Sequence, residues 1–531
     1  MSRRLNLAAQ HGYTMIAVML VMLATTMLGA AAFAAVGGDI PFARASQDRK
    51  AAYAAAEAGL EYYLFQLARD NDYWAKCTNV PPIAAGVPAP INNPAPTTRL
   101  WRSVSGTTDA RFSIELLPAN GAAACDSTKP ETTMLDSKSG TFRIRSTGES
   151  RGVRRSIVST FRRSSFLDYL YFTDYETSDP LTYTSATDRT NAASQCVKYR
   201  AARASWCRNI TFFGSDKIKG PLHTNDDLLT CGSPDFGVDQ NDAIEISGPA
   251  SDGWTQGSGS SCDDGTPDFL GTVRWPAPTL AVPTSNQKLK TFALAGGYVF
   301  YGKTTIVFND ATNKLDVTYY DKTTGAKTTA SMDPPGNGVI YIDENAKLGG
   351  CSPAIDGPLE QDYAEGNGCA IAYVKGKYSS SMTIGSASDI VVAGNLERVG
   401  DTVMGLVAQN FVRVKHGVRS CPNATYPDRC ETFPNMKIQA AILTLQHSFI
   451  VDNYDQGATV GALTVDGAIA QRFRGPVGTF NPDTGNASTG YTKDYNYDSR
   501  LRYRSPPFFL DPISAAWRII RANEQVPAPK T

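Results

Sequence analysis

The chain has 531 residues, enough for three or four domains, and its 51 Lys and Arg are balanced by 51 Asp and Glu. That balance excludes the broad cationic surface of a phosphate-neutralising nucleic-acid binder, and 45 Gly with 31 Pro are too few for a collagen-like or low-complexity chain. His11, His223, His416 and His447 fall in no HExxH or CxxC spacing, so neither a metal nor a cofactor is expected. From Thr14 to Val36 no side chain is charged; Arg3 and Arg4 precede the run and Gly37, Gly38 and Asp39 follow it. The run is long enough to span a bilayer as a helix, and the leading arginines keep the N-terminus inside and send the rest out. An ordinary signal peptide competes with this reading, because the alanines between Ala30 and Ala35 offer small-residue cleavage sites. A twin-arginine export signal is opposed by Leu5 and Asn6.

His11, Gly12, Tyr13, Thr14, Met15 and Ile16 join a short basic leader to the apolar run through a glycine and an aromatic residue. This junction resembles the type IV prepilin signal. The resemblance implies that a prepilin peptidase cuts after Gly12, that the new N-terminal Tyr13 is methylated, and that the apolar helix stays to pack against other pilin subunits. Ala17 stands at the fifth mature position, where most members carry Glu. In minor pilins and secretion tip subunits that lack this carboxylate, its absence fits a place at the filament's end. Farther on, Ala52, Ala55, Ala56, Gly59, Leu60, Tyr63, Leu64 and Leu67 recur at three- and four-residue steps, as on one face of a helix. The piece from Ala51 to Asp70 resembles the segment after the membrane helix in the PilX-like branch of minor pilins.

Residues 81–96 hold six prolines and read as an exposed linker. Ala110–Leu117 and Thr141–Ser146 alternate apolar with polar residues, and after Gly152 the chain reverses into Arg155–Phe161. This looks like the antiparallel sheet with which a pilin headgroup covers its helix. The expected fold class is α+β: a leader over 1–12, a transmembrane helix over 13–36, a pilin-like helix and sheet over 37–165, and a large all-β domain over 166–531. In that last stretch helical periodicity is absent until Asp511–Ala522. Short strands are expected at Val299–Tyr301, Thr305–Phe308, Leu315–Tyr320, Val339–Ile342, Met382–Ile384, Ile390–Ala393, Gly405–Ala408, Ala440–Leu445, Phe449–Val451 and Gly461–Val465. Many are continuously apolar, which suits the stacked coils of a parallel β-helix better than a two-faced sandwich or jelly roll. Gly220–Leu228, Asp389–Gly394, Arg472–Thr479 and Tyr491–Pro512 resemble a domain of unknown function found downstream of such pilin starts in Gram-positive and deep-branching bacteria.

All ten cysteines follow the apolar run, and their even count points to an oxidising, exported location. Clustering favours Cys196 with Cys207, Cys231 with Cys262, Cys351 with Cys369 and Cys421 with Cys430, which leaves Cys77 and Cys125 for the first module. Asp226 with Asp227, Asp263 with Asp264, and Asp452 with Asp455 are pairs of the kind a lyase or glycosidase gathers, although turns favour such residues without any catalysis. Cys262–Asp268 clusters oxygens that suit calcium but lacks the twelve-residue loop and its terminal Glu. Tyr491, Tyr495, Tyr497 and Tyr503, interleaved with Lys493, Arg500, Arg502 and Arg504, read either as a stacking surface for sugars or single strands or as a tail packed over the domain's end. Asn209 and Asn423 open glycan-acceptor triplets.

The resulting expectation is a minor, tip-located subunit of a type IV pilus-like filament, not an enzyme. It starts in the bacterial cell membrane, ends on the extracellular filament, and presents its large domain to a surface or polysaccharide ligand, with no specific nucleic-acid partner. One alternative is a membrane-anchored β-helix polysaccharide lyase or hydrolase, for which His223, Asp226, Asp227, Arg398 and Asp401 would share a groove. The other is a secreted surface adhesin with an ordinary signal peptide.

Overall fold

The computed structural model describes residues 13–70, 73–77, 90–93, 99–136, 141–163, 165–257, 262, 265–351, 363, 365–417, 431–481, 486–502, 504–512 and 517–525. The chain divides into two units, one of residues 1–134, 142–161 and 519–531, the other of 135–141 and 162–518.

In the first unit a single helix runs over Tyr13–Arg69, 57 residues, about 85 Å at the α-helical rise. Its C-terminal part buries the expected stripe: Ala52, Ala55, Ala56, Leu60, Tyr63 and Leu67 are all nearly inaccessible, while Arg49, Lys50, Glu57 and Glu61 are exposed. The stripe lies on a sheet ordered Ile91–Asn92, Ala110–Leu117, Thr141–Ser150, Val153–Arg163 and Trp517–Gln525. Ala110–Leu117 and Thr141–Ser150 pair antiparallel in unbroken register. The reversal into Val153–Arg163 uses only Arg151 and Gly152, both at positive φ (46° and 81°). A two-residue hairpin whose turn matches the strand twist requires that conformation at both positions. Phe142 and Phe161 stack at 4.9 Å, and Tyr63 of the helix packs against both rings.

Helix and sheet approach closely at Gly148, where an added Cβ would lie 2.0 Å from the carbonyl oxygen of Ala52 and 2.4 Å from the amide nitrogen of Ala56. Both neighbours are backbone and cannot turn aside. Gly148→Val is therefore expected to destabilise the first unit by about 1–3 kcal/mol through overpacking, read as a lowered urea midpoint. An unchanged midpoint would show that the helix does not rest on this strand.

Residues 519–531 fall in the first unit and not in the expected domain over 166–531, and of the expected helical pattern over Asp511–Ala522 the described residues from Trp517 onward are strand. Trp517–Gln525 joins the sheet of the first unit, with only Trp517 buried. The apolar spacing that reads as helical is used by a sheet-edge strand, whose backbone bonds come from a partner distant in sequence.

The second unit is built mainly of parallel ladders, with Lys314–Tyr320 and Lys327–Met332 added antiparallel to Tyr298–Asn309. The first passes through Tyr298–Asn309, Val339–Asp343, Met382–Ser386, Met404–Ala408, Ala441–Thr444, Thr459–Arg474, Tyr171–Ser178, Leu222–Thr224, Ala243–Ile246 and Thr272–Arg274, every neighbour parallel. Its register stacks Ile340, Ile384, Leu406, Ile442, Ile469, Tyr171, Leu222 and Ile244 in one buried column. Each such side chain contributes about 1.5–3 kcal/mol on leaving water. A second ladder links Tyr298–Asn309, Ala372–Tyr378, Ile390–Arg398, Val412–Val414 and Phe449–Val451. A third passes through Ile390–Arg398, Lys437–Ile438, Thr459–Arg474, Ala487–Tyr497, Lys217–Lys219, Asp235–Phe236 and Asp268–Phe269.

Chain order and ladder order differ. On the first ladder the strands of residues 171–274 lie beyond those of 298–474, so residues 275–297 must return from one end of that ladder to the other. They do so in contact with it. The amide of Ala277 donates to Ile246, Asn225 bonds Leu280 in both directions, and the buried Asn286 donates to the carbonyls of Ser386 and Val407.

Disulfides join Cys77–Cys125 in the first unit and Cys196–Cys207, Cys231–Cys262 and Cys351–Cys369 in the second. Each closes a loop of 11 to 48 residues, which stabilises the fold by about 2–4 kcal/mol, in the simplest account by restricting the unfolded chain. Cys421 and Cys430 lie outside the described residues.

Candidate functional site

The part of the long helix that precedes its sheet-bound stripe makes a candidate assembly surface. Thr14–Ala31 has a mean hydropathy of 2.0 and none of it is buried; the large apolar side chains from Met15 to Leu28 are 53–71% exposed. The hydroxyls of Thr25 and Thr26 make no demand on the surroundings: Thr25 donates to the carbonyl of Val21 and Thr26 to that of Met22, each at 2.9 Å. Internal satisfaction of polar groups is what a hydrocarbon environment requires. Tyr13 opens the helix, whereas Gly12 and the rest of the leader lie outside the described residues.

The five residues of the catalytic alternative have separate partners. His223 is buried on the first ladder, with Nδ1 3.1 Å from Glu245 and Nε2 3.1 Å from Asn225. Tyr169 donates to the same carboxylate at 2.6 Å. Burial pushes Glu245 up, but the hydrogen bonds from His223 and Tyr169 outweigh it and hold the carboxyl at about 2. Asp226 is sealed against Arg203 and accepts the amides of Glu176 and Arg200; Asp227 accepts that of Ala250. Both carboxylates tie together segments distant in sequence. Arg398 pairs with Asp498 at 3.2 Å, and Asp401 with Arg500 and Arg504 at 2.9 and 2.6 Å.

The aromatic tail is not an exposed stacking surface. Tyr491 and Tyr495 are buried, Tyr497 donates to the carbonyl of Leu167, and Arg502 pairs with Asp242. Tyr503 lies outside the described residues, as do Asn423, Asp263 and Asp264. Among the described residues no three His, Cys, Asp or Glu side chains are placed to hold a metal ion.

Buried ion clusters emerge where the sequence suggested none. On the second ladder Val374, Val392, Val414 and Val451 fill the core, while Tyr373, Val391, Arg413 and Ile450 form the alternate column. Arg413 is fully buried between Asp389 at 2.9 Å and Asp452 at 3.3 Å. Tyr363, from the loop closed by Cys351–Cys369, donates to Asp452 at 3.1 Å, and Lys303 lies 3.5 Å from Glu365 of the same loop. A second site sets His447 Nδ1 2.9 Å from Asp179. Burial opposes the imidazolium there, yet Asp179 raises His447 above its ordinary value. Neither cluster reads from residue type alone; the available signal was strand parity, which places Arg413 between neighbours that point the other way.

No protein-family model matches the chain, and no curated protein sequence matches it. Comparison with solved structures pairs it with the competence-associated pilin ComZ from Thermus thermophilus at 11% identity and a TM-score of 0.27, over 90% of this chain and 97% of that one. A pairing at that score carries no inference for fold or function.

Proposed function

We infer that the chain is a minor subunit of a type IV pilus-like filament, held in the membrane by its N-terminal helix before assembly and carried at the filament's distal end afterwards. The observation that carries this reading is the one continuous helix Tyr13–Arg69, bare and apolar over Thr14–Ala31 and packed farther along on a sheet with an antiparallel centre. The junction at Gly12 and Tyr13 supports processing by a prepilin peptidase, and the apolar face supports packing against other pilin subunits. Ala17 supports the end position, because a subunit without the carboxylate cannot neutralise a neighbour's buried amine, and an uncompensated charge of that kind costs several kcal/mol. The second unit, whose parallel ladders are read here as a β-helix, is the part presented outward to a surface or polysaccharide ligand.

Mass spectrometry of the mature protein is expected to find Tyr13, N-methylated, as the first residue, and immunogold labelling to mark filament ends. A mature start near Val36 would return the chain to the secreted-adhesin reading. Labelling spread along the shaft would remove the tip position while leaving the pilin reading in place.

A further inference from the structure

Within Ala487–Tyr497 the residues Tyr491, Lys493 and Tyr495 share one side of the strand, since side chains alternate. Both tyrosines are buried, and the register sets Lys493 beside the fully buried Leu463. A lysine thus projects with the core. Its Nζ lies 2.8 Å from Oδ2 of Asp216, with the two side chains 10% and 3% exposed. That carboxylate also accepts the amide of Phe213 at 3.2 Å. Arg474, 1% exposed, stands 3.3 Å above the centre of the Phe212 ring and faces Glu176 at 3.4 Å and Asp216 at 3.8 Å. Two acids and two bases therefore share a buried, aromatic pocket and sum to zero charge. By contrast Lys290 and Asp343, 2.6 Å apart, are 31% and 20% exposed.

This environment favours condensation over a simple ion pair. Burial lowers Lys493 against the opposing pull of Asp216, and burial raises Glu176 against that of Arg474, so the neutral amine is more accessible than it is in water. Amine and carboxyl are held in contact, which replaces an encounter with a fixed geometry, and Arg474 stands beside the oxygen on which negative charge grows during attack.

We propose that Lys493 and Asp216 form an intramolecular isopeptide bond. Nζ attacks Cγ of Asp216; the Nζ–Cγ bond forms as a Cγ–O bond breaks. The two protons lost by the ammonium leave with that oxygen as one water, so no oxidant or co-reactant is needed. The bond spans 277 residues of chain. It ties the residue just before Lys217–Lys219 to Ala487–Tyr497, the strand paired with it, where the strands of 171–274 meet those of 298–497.

The test is a peptide map of the full chain, purified in detergent, reduced, alkylated and digested with trypsin. The expected result is no cleavage after Lys493 and a branched peptide containing Asp216 and Lys493, lighter by one water than its two parts. Lys493→Arg keeps the charge but cannot condense, so it should give the separate peptides while retaining the wild-type circular dichroism. The wild-type digest decides alone, even where that variant fails to fold. Cleavage after Lys493 with both peptides at full mass overturns the proposal, and so does a water loss located on any other pair.

Discussion

Arg413→Met lowers the stability of the second unit by about 3–5 kcal/mol, the usual cost of removing one partner from a buried ion cluster. The side chain it removes is 1% exposed and stands between Asp389 and Asp452, themselves 1% and 0% exposed. Methionine fills much of the volume, so what remains is two carboxylates out of water with no cation between them. The pH dependence follows from their directions. Burial raises Asp389, and raises Asp452 to about 7, in each case against the opposing pull of Arg413. A carboxyl raised in the folded state binds more protons there than in the unfolded chain. Its contribution is therefore full at acid pH and is lost as pH rises through about 7. Without Arg413 both groups rise further, so the deficit of the variant is largest at pH 8 and shrinks toward pH 5. Urea unfolding at the two pH values measures it. A difference below about 1 kcal/mol at both would mean that the cluster is open to water and contributes little.

How far the fold was legible depended on the range over which each feature is decided. The stripe from Ala52 to Leu67 and the turn at Arg151 and Gly152 are local, and period and turn chemistry revealed them. The strands around Met382, Ile390 and Gly405 were legible for the same reason, because a run of branched apolar residues bounded by Gly or Asp has few other uses. Tyr298–Asn309 shows the limit. It reads as two short strands, but it is one strand bent at Gly302, whose φ of 74° lets a single segment serve two ladders. The pairing of Tyr171–Ser178 with Thr459–Arg474 was not legible, since nothing local distinguishes one apolar strand edge from another. The register there is set by contacts such as Gln471 with Tyr171 and Arg474 with Glu176, nearly 300 residues apart in sequence. Residue type alone leaves Lys493 open between a stacking surface and a packed tail. Its two-residue spacing from Tyr491 and Tyr495 was the signal that it points inward.

Leu20→Arg combined with Leu23→Arg releases the chain from the membrane fraction. Both positions lie near the middle of Thr14–Ala31, and both leucines are exposed to whatever surrounds the helix. An arginine at the centre of a spanning helix costs about 2.5–3.5 kcal/mol on insertion scales, and each leucine lost forfeits a few tenths more. Together the two changes amount to about 6 kcal/mol, on the order of a 10⁴-fold shift in partitioning. The helix has no alternative shelter for these charges, because Thr14–Ala31 has none of its surface buried. The control is Glu57→Arg with Glu61→Arg on the exposed side of the sheet-bound part, which adds the same two arginines and should leave the membrane fraction unchanged. Alkaline extraction followed by immunoblotting reads both variants. Undiminished retention of the Leu20 and Leu23 variant would mean that the anchor lies elsewhere. A wild-type chain already found soluble and starting after Ala35 would mean that the apolar run is removed on export and anchors nothing.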